Sequence, residues 1–195
     1  AYKEILGKNS LRLWTVSGAY FTFFQLYRWN EKKLLKLFDV EDVLFNVWFA
    51  KSAKSISNIL KKLGNEKRAE FWNEIYERTL KAIEKWLWDE KTGLYYSRWR
   101  KGGKEALLKT PTISSFAPLL LDIDPERAEK LRKNLWKYMF LTPYLIPTVS
   151  PLDDSFSAST WFRALWTGAI GIPWNWMIHE GLKEQGFEYE AYLVR

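Results

Sequence analysis

Between Tyr144 and Gly186 the chain crowds together the side chains that hold a sugar ring. They are the aromatic Trp161, Trp166 and Trp176, the carboxylates Asp153 and Asp154, the guanidinium of Arg163 and the carboxamide of Asn175. Aromatic faces cover the C–H surface of a pyranose, while charged and amide groups reach its hydroxyls. With 12 Trp, 10 Tyr and 12 Phe in 195 residues, core packing alone accounts for many of these rings. Packing does not call for Asp153, Asp154, Arg163 and Asn175 in that company.

Composition narrows the chemistry further. The absence of cysteine excludes disulfides, thiol catalysis and cysteine-ligated metals, and a single histidine, His179, excludes a multi-histidine centre. No metal and no cofactor is expected, and carboxylates are left as the acid/base groups. His179 beside Glu180 reads as a structural residue rather than a catalytic one. The formal charge is +7, from 30 Lys and Arg against 23 Asp and Glu. The excess is spread over Lys32-Lys33, Lys61-Lys62, Arg98 to Lys104 and Lys130 to Lys133, mostly beside acids, as on solvated helix faces. That pattern argues against a nucleic-acid partner. Abundant Lys and Glu without cysteine lean toward a thermophilic source.

At 47% hydrophobic and 27% charged the chain reads as one globular domain over 1–195. The longest uncharged run, Ala164 to Ile178, is interrupted by Gly and Pro and is shorter than the roughly 20 apolar residues of a membrane span. No membrane partner is expected. Residues Ala1 to Arg12 lack the apolar core of a secretory signal, so a cytoplasmic location is expected.

The elements that must position the aromatic segment are mostly helical. From Val40 to Leu63, Val43, Leu44, Val47, Trp48, Ile56, Ile59, Leu60 and Leu63 keep helical spacing, and Gly64-Asn65 closes the helix. Phe45 and Phe49 on its other flank predict burial nearly all round, as in an inner layer. A one-sided helix follows from Glu66 to about Leu87, with Trp72, Tyr76, Leu80 and Ile83 on its stripe. Trp88 to Tyr96, with Gly93 at the turn, predicts a short β-hairpin with Arg98 to Leu108. Ser114 to Leu121 reads as a short helix, and Asp124-Pro125-Glu126 opens another. Leu141 to Asp154, with three prolines, reads as an extended loop. Arg163 to Gly168 reads as a helical turn or two, and a last helix starts near Pro173 and closes at Gly186. The class is all-α: helical hairpins of a partial (α/α)6 toroid with a short β-hairpin.

In order and spacing, four stretches resemble the (α/α)6-barrel glycoside hydrolases of the glucosidase I, mannosylglycerate hydrolase and trehalase-like type. They are Val40-Glu41-Asp42-Val43-Leu44-Phe45-Asn46, Leu87 to Tyr96, Pro143 to Pro151, and Trp174-Asn175-Trp176-Met177-Ile178 leading to Gly181-Leu182. The resemblance covers about Phe38 to Gly186 and implies the central to C-terminal part of the barrel. It implies that Asp42 and Asn46, four residues apart on one helical face, point into a pocket. The plainer alternative is a helix-capping acid and an Asn bonded to backbone. Family members set an Arg and a Trp at fixed steps before the Asn that aligns with Asn175. Here those steps fall on Thr167 and Gly171, and Arg163 and Trp166 supply the same residue types earlier.

Such enzymes invert at the anomeric carbon with one carboxyl as acid and one as base, with room for water between them. The resemblance implies an acid upstream of the inner helix and a base beyond the last helix. The chain offers no Asp before Asp39 and ends at Arg195, shortly after Glu188 and Glu190. The catalytic pair is therefore expected outside this chain, on a partner chain or a further segment that completes the barrel. The expected function is a glycoside hydrolase domain acting on short α-linked glucosides or mannosides. Its substrate-lining residues are Asp42, Asn46, Asp153, Asp154, Trp161, Arg163, Trp166, Asn175 and Trp176. The alternatives are a catalytically inactive glycan-binding or structural subunit of the same fold, and a basic helical scaffold for RNA or protein.

Overall fold

The computed structural model describes residues 39–101, 103–157 and 167–195, so Trp161, Arg163 and Trp166 lie outside the described residues. The larger of two compact units comprises Val40–Trp99 and Glu105–Arg195 and contains the elements that matter here.

Helix α1 spans Val43–Lys62 and α2 spans Glu66–Trp86. Each begins at a side-chain cap: Asp42 accepts from the Phe45 N–H at 2.8 Å, and Asn65 accepts from the Arg68 N–H at 3.3 Å. A cap of this kind stabilises a helix by about 1 kcal/mol. Gly64, at φ 71°, takes the left-handed conformation that ends α1. The two helices form a hairpin because α1 carries small residues on its inner stripe. Ala50, Ala53 and Ser57 are buried, and the Ser57 hydroxyl donates to the Ala69 carbonyl of α2 at 2.7 Å.

The single β-hairpin predicted over Trp88 to Leu108 is in fact two. Strands β2 (Trp88–Asp89) and β3 (Leu94–Tyr95) close around Gly93, while β4 (Arg98–Lys101) and β5 (Lys104–Leu107) close around Gly103. Both glycines have φ near +70°, so each supplies its own tight turn and neither run has to reach across to the other. A short strand, β1 (Val40–Glu41), pairs antiparallel with β4. That pairing delays the start of α1 to Val43.

Ile113–Leu120 is a 3-10 helix, where the sequence predicted a short helix. Pro118 inside it removes an N–H, which disfavours a regular α-helical ladder. Helix α3 spans Pro125–Lys137 with Asp124 as its cap, α4 spans Ile172–Glu184, and a short α5, Glu188–Leu193, follows Gly186. The 3-10 helix packs against both α1 and α4. A Cβ on Gly181 would lie 2.9 Å from the Leu119 Cβ, so only glycine lets α4 approach this closely. Lys51 of α1 ties the three together, donating to the Leu120 carbonyl at 3.0 Å and to Glu184 at 2.6 Å. The core between them is aromatic and aliphatic, with Phe116 and Phe140 in edge contact at 4.9 Å.

Phe45 and Phe49, expected to be buried, are 74% and 46% exposed. Among the described residues, the covered stripe of α1 is the one that faces α2 and the 3-10 helix.

Candidate functional site

The N-terminus of α1 opens onto a cavity of about 510 Å³. Its walls come from five places in the chain: Asp42 to Leu44, Tyr95 to Ser97, the stretch that supplies Leu108, Thr110 and Thr112 to Ser115, then Thr148, and Trp174. Local structure fixes each wall. Ser97 is a junction: its hydroxyl donates to Asp42 Oδ2 at 3.0 Å and accepts the Val43 N–H at 3.2 Å. Asp42 therefore caps α1 through Oδ1 and is held by Ser97 through Oδ2. A carboxylate has about four lone-pair positions, so both oxygens keep acceptor capacity toward the cavity.

The opposite wall is a short ladder. The Ile113 N–H donates to the Thr148 carbonyl, and the Ser150 N–H to the Pro111 carbonyl, both at 3.0 Å. Thr148 is held from its other side as well, because its N–H donates to Ala169 O at 3.0 Å and its hydroxyl accepts the Gly168 N–H at 2.9 Å. Trp174, half-buried, supplies the aromatic face. A Cβ on Gly171 would fall 2.5 Å from its ring, so the indole rests directly on that glycine.

Burial pushes the Tyr96 hydroxyl up to about 12, and Tyr138, Asp89 and Asp153 add to the rise. Among the described residues no group meets the buried Tyr95 hydroxyl at full hydrogen-bond geometry; burial raises its pKa, and the nearby Arg127 guanidinium opposes the rise. Among the described residues, no group of His, Cys, Asp and Glu is arranged to hold a metal ion, and no helix is long and apolar enough to cross a membrane.

The structure sorts the predicted residues by position. Asp42 lines the cavity and caps its helix at once. Asn46 turns back, donating to the Asp42 carbonyl at 2.7 Å, and is not in the cavity wall. Asp153, half-buried, accepts from the Ser155 N–H at 2.9 Å and from its hydroxyl at 2.5 Å, a turn geometry. Asp154 is exposed beside it. Asn175 is 2% exposed and spends its whole carboxamide on backbone. Its Oδ1 accepts the Ile146 N–H at 2.7 Å, and its Nδ2 donates to Ile146 O at 2.9 Å and Gly171 O at 3.0 Å. It thereby pins the Pro-rich loop just beyond Leu145, which sits at φ 78°. Trp176 is 58% exposed and outside the cavity wall.

Sequence reasoning missed Trp174, Tyr96, Ser97 and Thr148. A signal for Trp174 was available: residues two apart on a helix face opposite ways, so with Asn175 buried only one of Trp174 and Trp176 can join a given wall. The hydroxyl residues carry no comparable mark, because Ser and Thr are common in any loop.

The sequence profile of the mannosylglycerate hydrolase MGH1-like glycoside hydrolase domain matches residues 10–195. Mannosylglycerate hydrolase MGH2 of Selaginella moellendorffii is 32% identical over 111 residues, which are 55% of this chain and 21% of that protein. The crystal structure of the GH63 mannosylglycerate hydrolase of Thermus thermophilus in complex with glucose superposes with a TM-score of 0.74 at 24% identity. That match covers 89% of this chain and 40% of the other. Neutral trehalase of Saccharomyces cerevisiae matches with a TM-score of 0.62 at 18% identity, over 76% of this chain and 28% of its own. These likenesses establish the (α/α)6 helical-hairpin fold. The chain spans about a fifth of the curated relative's length.

Proposed function

Since the chain belongs to the mannosylglycerate hydrolase MGH1-like glycoside hydrolase domain family, we propose that its cavity is a sugar-binding wall of an inverting α-glycosidase. The substrate on this reading is a short α-linked glucoside or mannoside, mannosylglycerate included. The observation that carries the reading is the cavity itself, with one carboxylate, a stratum of hydroxyls and one indole face around about 510 Å³, a volume that suits a small ligand.

Inversion requires an acid and a base on opposite sides of the scissile bond. Asp42 is the sole carboxylate among the described residues that line this cavity. We therefore assign Asp42 a binding role and look for the acid and base in other parts of a complete barrel. Trp161, Arg163 and Trp166 remain candidates to line the same sugar. Asn46, Asp153, Asp154, Asn175 and Trp176, as the structure holds them, fit supporting roles better than direct contact. A further segment or chain completing an (α/α)6 barrel belongs to the proposal, and the exposed Phe45, Phe49 and Ile59 of α1, with Leu63 at its C-terminal cap, support it as a face awaiting cover. A cytoplasmic setting belongs to it too, and fractionation of the native host checks that part.

One observation favours a second reading. A cavity with a single lining carboxylate is sufficient for a glycan-binding subunit without turnover. Sugar release from a panel of α-glucosides and α-mannosides, trehalose and mannosylglycerate included, separates the two. The hydrolase reading predicts binding without release by this chain alone, and release once the remaining barrel is supplied. Binding without release from the complete protein favours the second reading, and failure to bind any of the panel contradicts both.

A further inference from the structure

Asp42 is set in place from across the chain as well as by its own helix. Strand β1 pairs Val40 with Trp99 and Glu41 with Arg98 of β4. One step further along that antiparallel register, Asp42 falls opposite Ser97. An ion pair holds the register: the Arg98 side chain, itself buried, meets the Glu41 carboxylate at 2.6 Å. The Leu108 N–H secures Ser97 from its other side, donating to the Ser97 carbonyl at 2.8 Å.

Both functions of the Ser97 hydroxyl are used. It accepts the Val43 N–H at 3.2 Å, one of the donors that the first turn of a helix leaves without an intrahelical partner, and its proton goes to Asp42 Oδ2 at 3.0 Å. Asp42 Oδ1 meanwhile accepts the Phe45 N–H at 2.8 Å. A carboxylate held through one oxygen can still swing about that oxygen, whereas a bond to each oxygen fixes its plane. We infer that Ser97 is a positioning residue for this cavity: it holds the Asp42 carboxylate in one orientation, so that the remaining lone pairs meet sugar hydroxyls without prior reorganisation. Ser97 acts through Asp42 rather than by touching the ligand. The inference rests on the reading of the cavity as a sugar site with Asp42 as a binding group.

The test is a mutant cycle read by calorimetry, with methyl α-D-mannopyranoside titrated into the whole chain at concentrations that saturate the weakest variant. Ser97→Ala should bind about fivefold weaker than the wild type. Ser97→Thr keeps the hydroxyl and should bind within about twofold of it. Asp42→Asn removes the carboxylate and keeps a good helix cap, and on that background Ser97→Ala should change the affinity by less than about twofold. A purely structural role, through the Val43 N–H alone, lowers the melting temperature and leaves the affinity of the folded protein unchanged. Should circular dichroism show Ser97→Ala unfolded, Ser97→Cys, of similar volume with a weaker donor and acceptor, takes its place on both backgrounds with the same direction expected.

Wild-type affinity in a folded Ser97→Ala overturns the inference, as does a loss that Ser97→Thr does not restore. An equal loss on both backgrounds overturns it too, because Ser97 would then contact the ligand directly. If the wild-type chain binds no sugar, the sugar-site reading itself fails and the inference falls with it.

Discussion

Asn175 shows how a residue type that suggests ligand contact can be wholly absorbed by the backbone. Its amide satisfies both polar groups of Ile146 and the carbonyl of Gly171, so it joins the Pro-rich loop that carries Thr148 to the helix that carries Trp174. Asn175→Ala removes these bonds from the buried Ile146 N–H and carbonyl, while the Gly171 carbonyl still accepts the backbone N–H of residue 175, and should cost about 2 to 3 kcal/mol in urea unfolding. Trp176→Ala, two-fifths buried on the other face of the helix, should cost under about 1 kcal/mol. Gly171→Ala probes the ring directly: its new Cβ meets Trp174 Cδ1 at 2.5 Å. The displaced indole should weaken sugar binding roughly fivefold, measured by calorimetry, with the circular dichroism spectrum unchanged. The identity of the carboxamide was legible in the sequence, and its commitment to backbone was not. That commitment depends on a loop 29 residues away.

At the scale of elements, local chemistry made most of the helices legible. Asp124 before Pro125 marked a helix start, and Gly64-Asn65 a helix end, that the structure retains, because a cap is a contact within a few residues. The elements that departed from expectation depend on distant partners. β1 exists because β4 lies beside it, and the 3-10 helix is wedged between α1 and α4 around Pro118. Helix α5, six residues long, is too short to announce itself by periodicity. It is anchored by a charged cluster in which Arg132 of α3 bonds Glu190 and Glu129, each at 2.7 Å.

This cluster gives α3 and α5 a defined pH response. Arg132 holds the Glu129 carboxyl down to about 2. Burial pushes the Glu190 carboxyl up, but the Arg132 guanidinium outweighs it and leaves a net lowering. For carboxyls depressed in the folded state, the stabilisation is present above their unfolded value of about 4.5 and is lost as pH falls toward about 2. Thermal unfolding at pH 6, 4, 3 and 2 should show that decline. In Arg132→Met, Glu190 is left buried without its cation, so the variant should be less stable at pH 6 and flatter with acid. A variant with the same acid slope as the wild type would show that the cluster carries none of it.

For the whole molecule, two contrasting faces need explaining together. One is a cavity walled in part by a helix cap and a short ladder; the other is the outer stripe of α1, where Phe45 and Phe49 are 74% and 46% exposed. The two-sided apolar pattern of α1 was legible as an inner-layer helix, yet only one of its sides is covered here. The proposed completion of the barrel accounts for both. Adding the remaining barrel as a separate polypeptide should bury that stripe, quench the exposed aromatic fluorescence and yield a defined complex in sedimentation. Equal exposure and no complex would count against completion through this face.

The central claim, that the cavity beside Asp42 holds a sugar, is tested most directly by the indole N–H of Trp174. In a 15N-labelled sample its resonance can be assigned by its loss in Trp174→Phe, and methyl α-D-mannopyranoside then titrated in. The account predicts a saturable shift of that resonance while the signal of the exposed Trp176 stays in place. A Trp174 signal that remains fixed at saturating sugar, or shifts confined to other indoles, would contradict it.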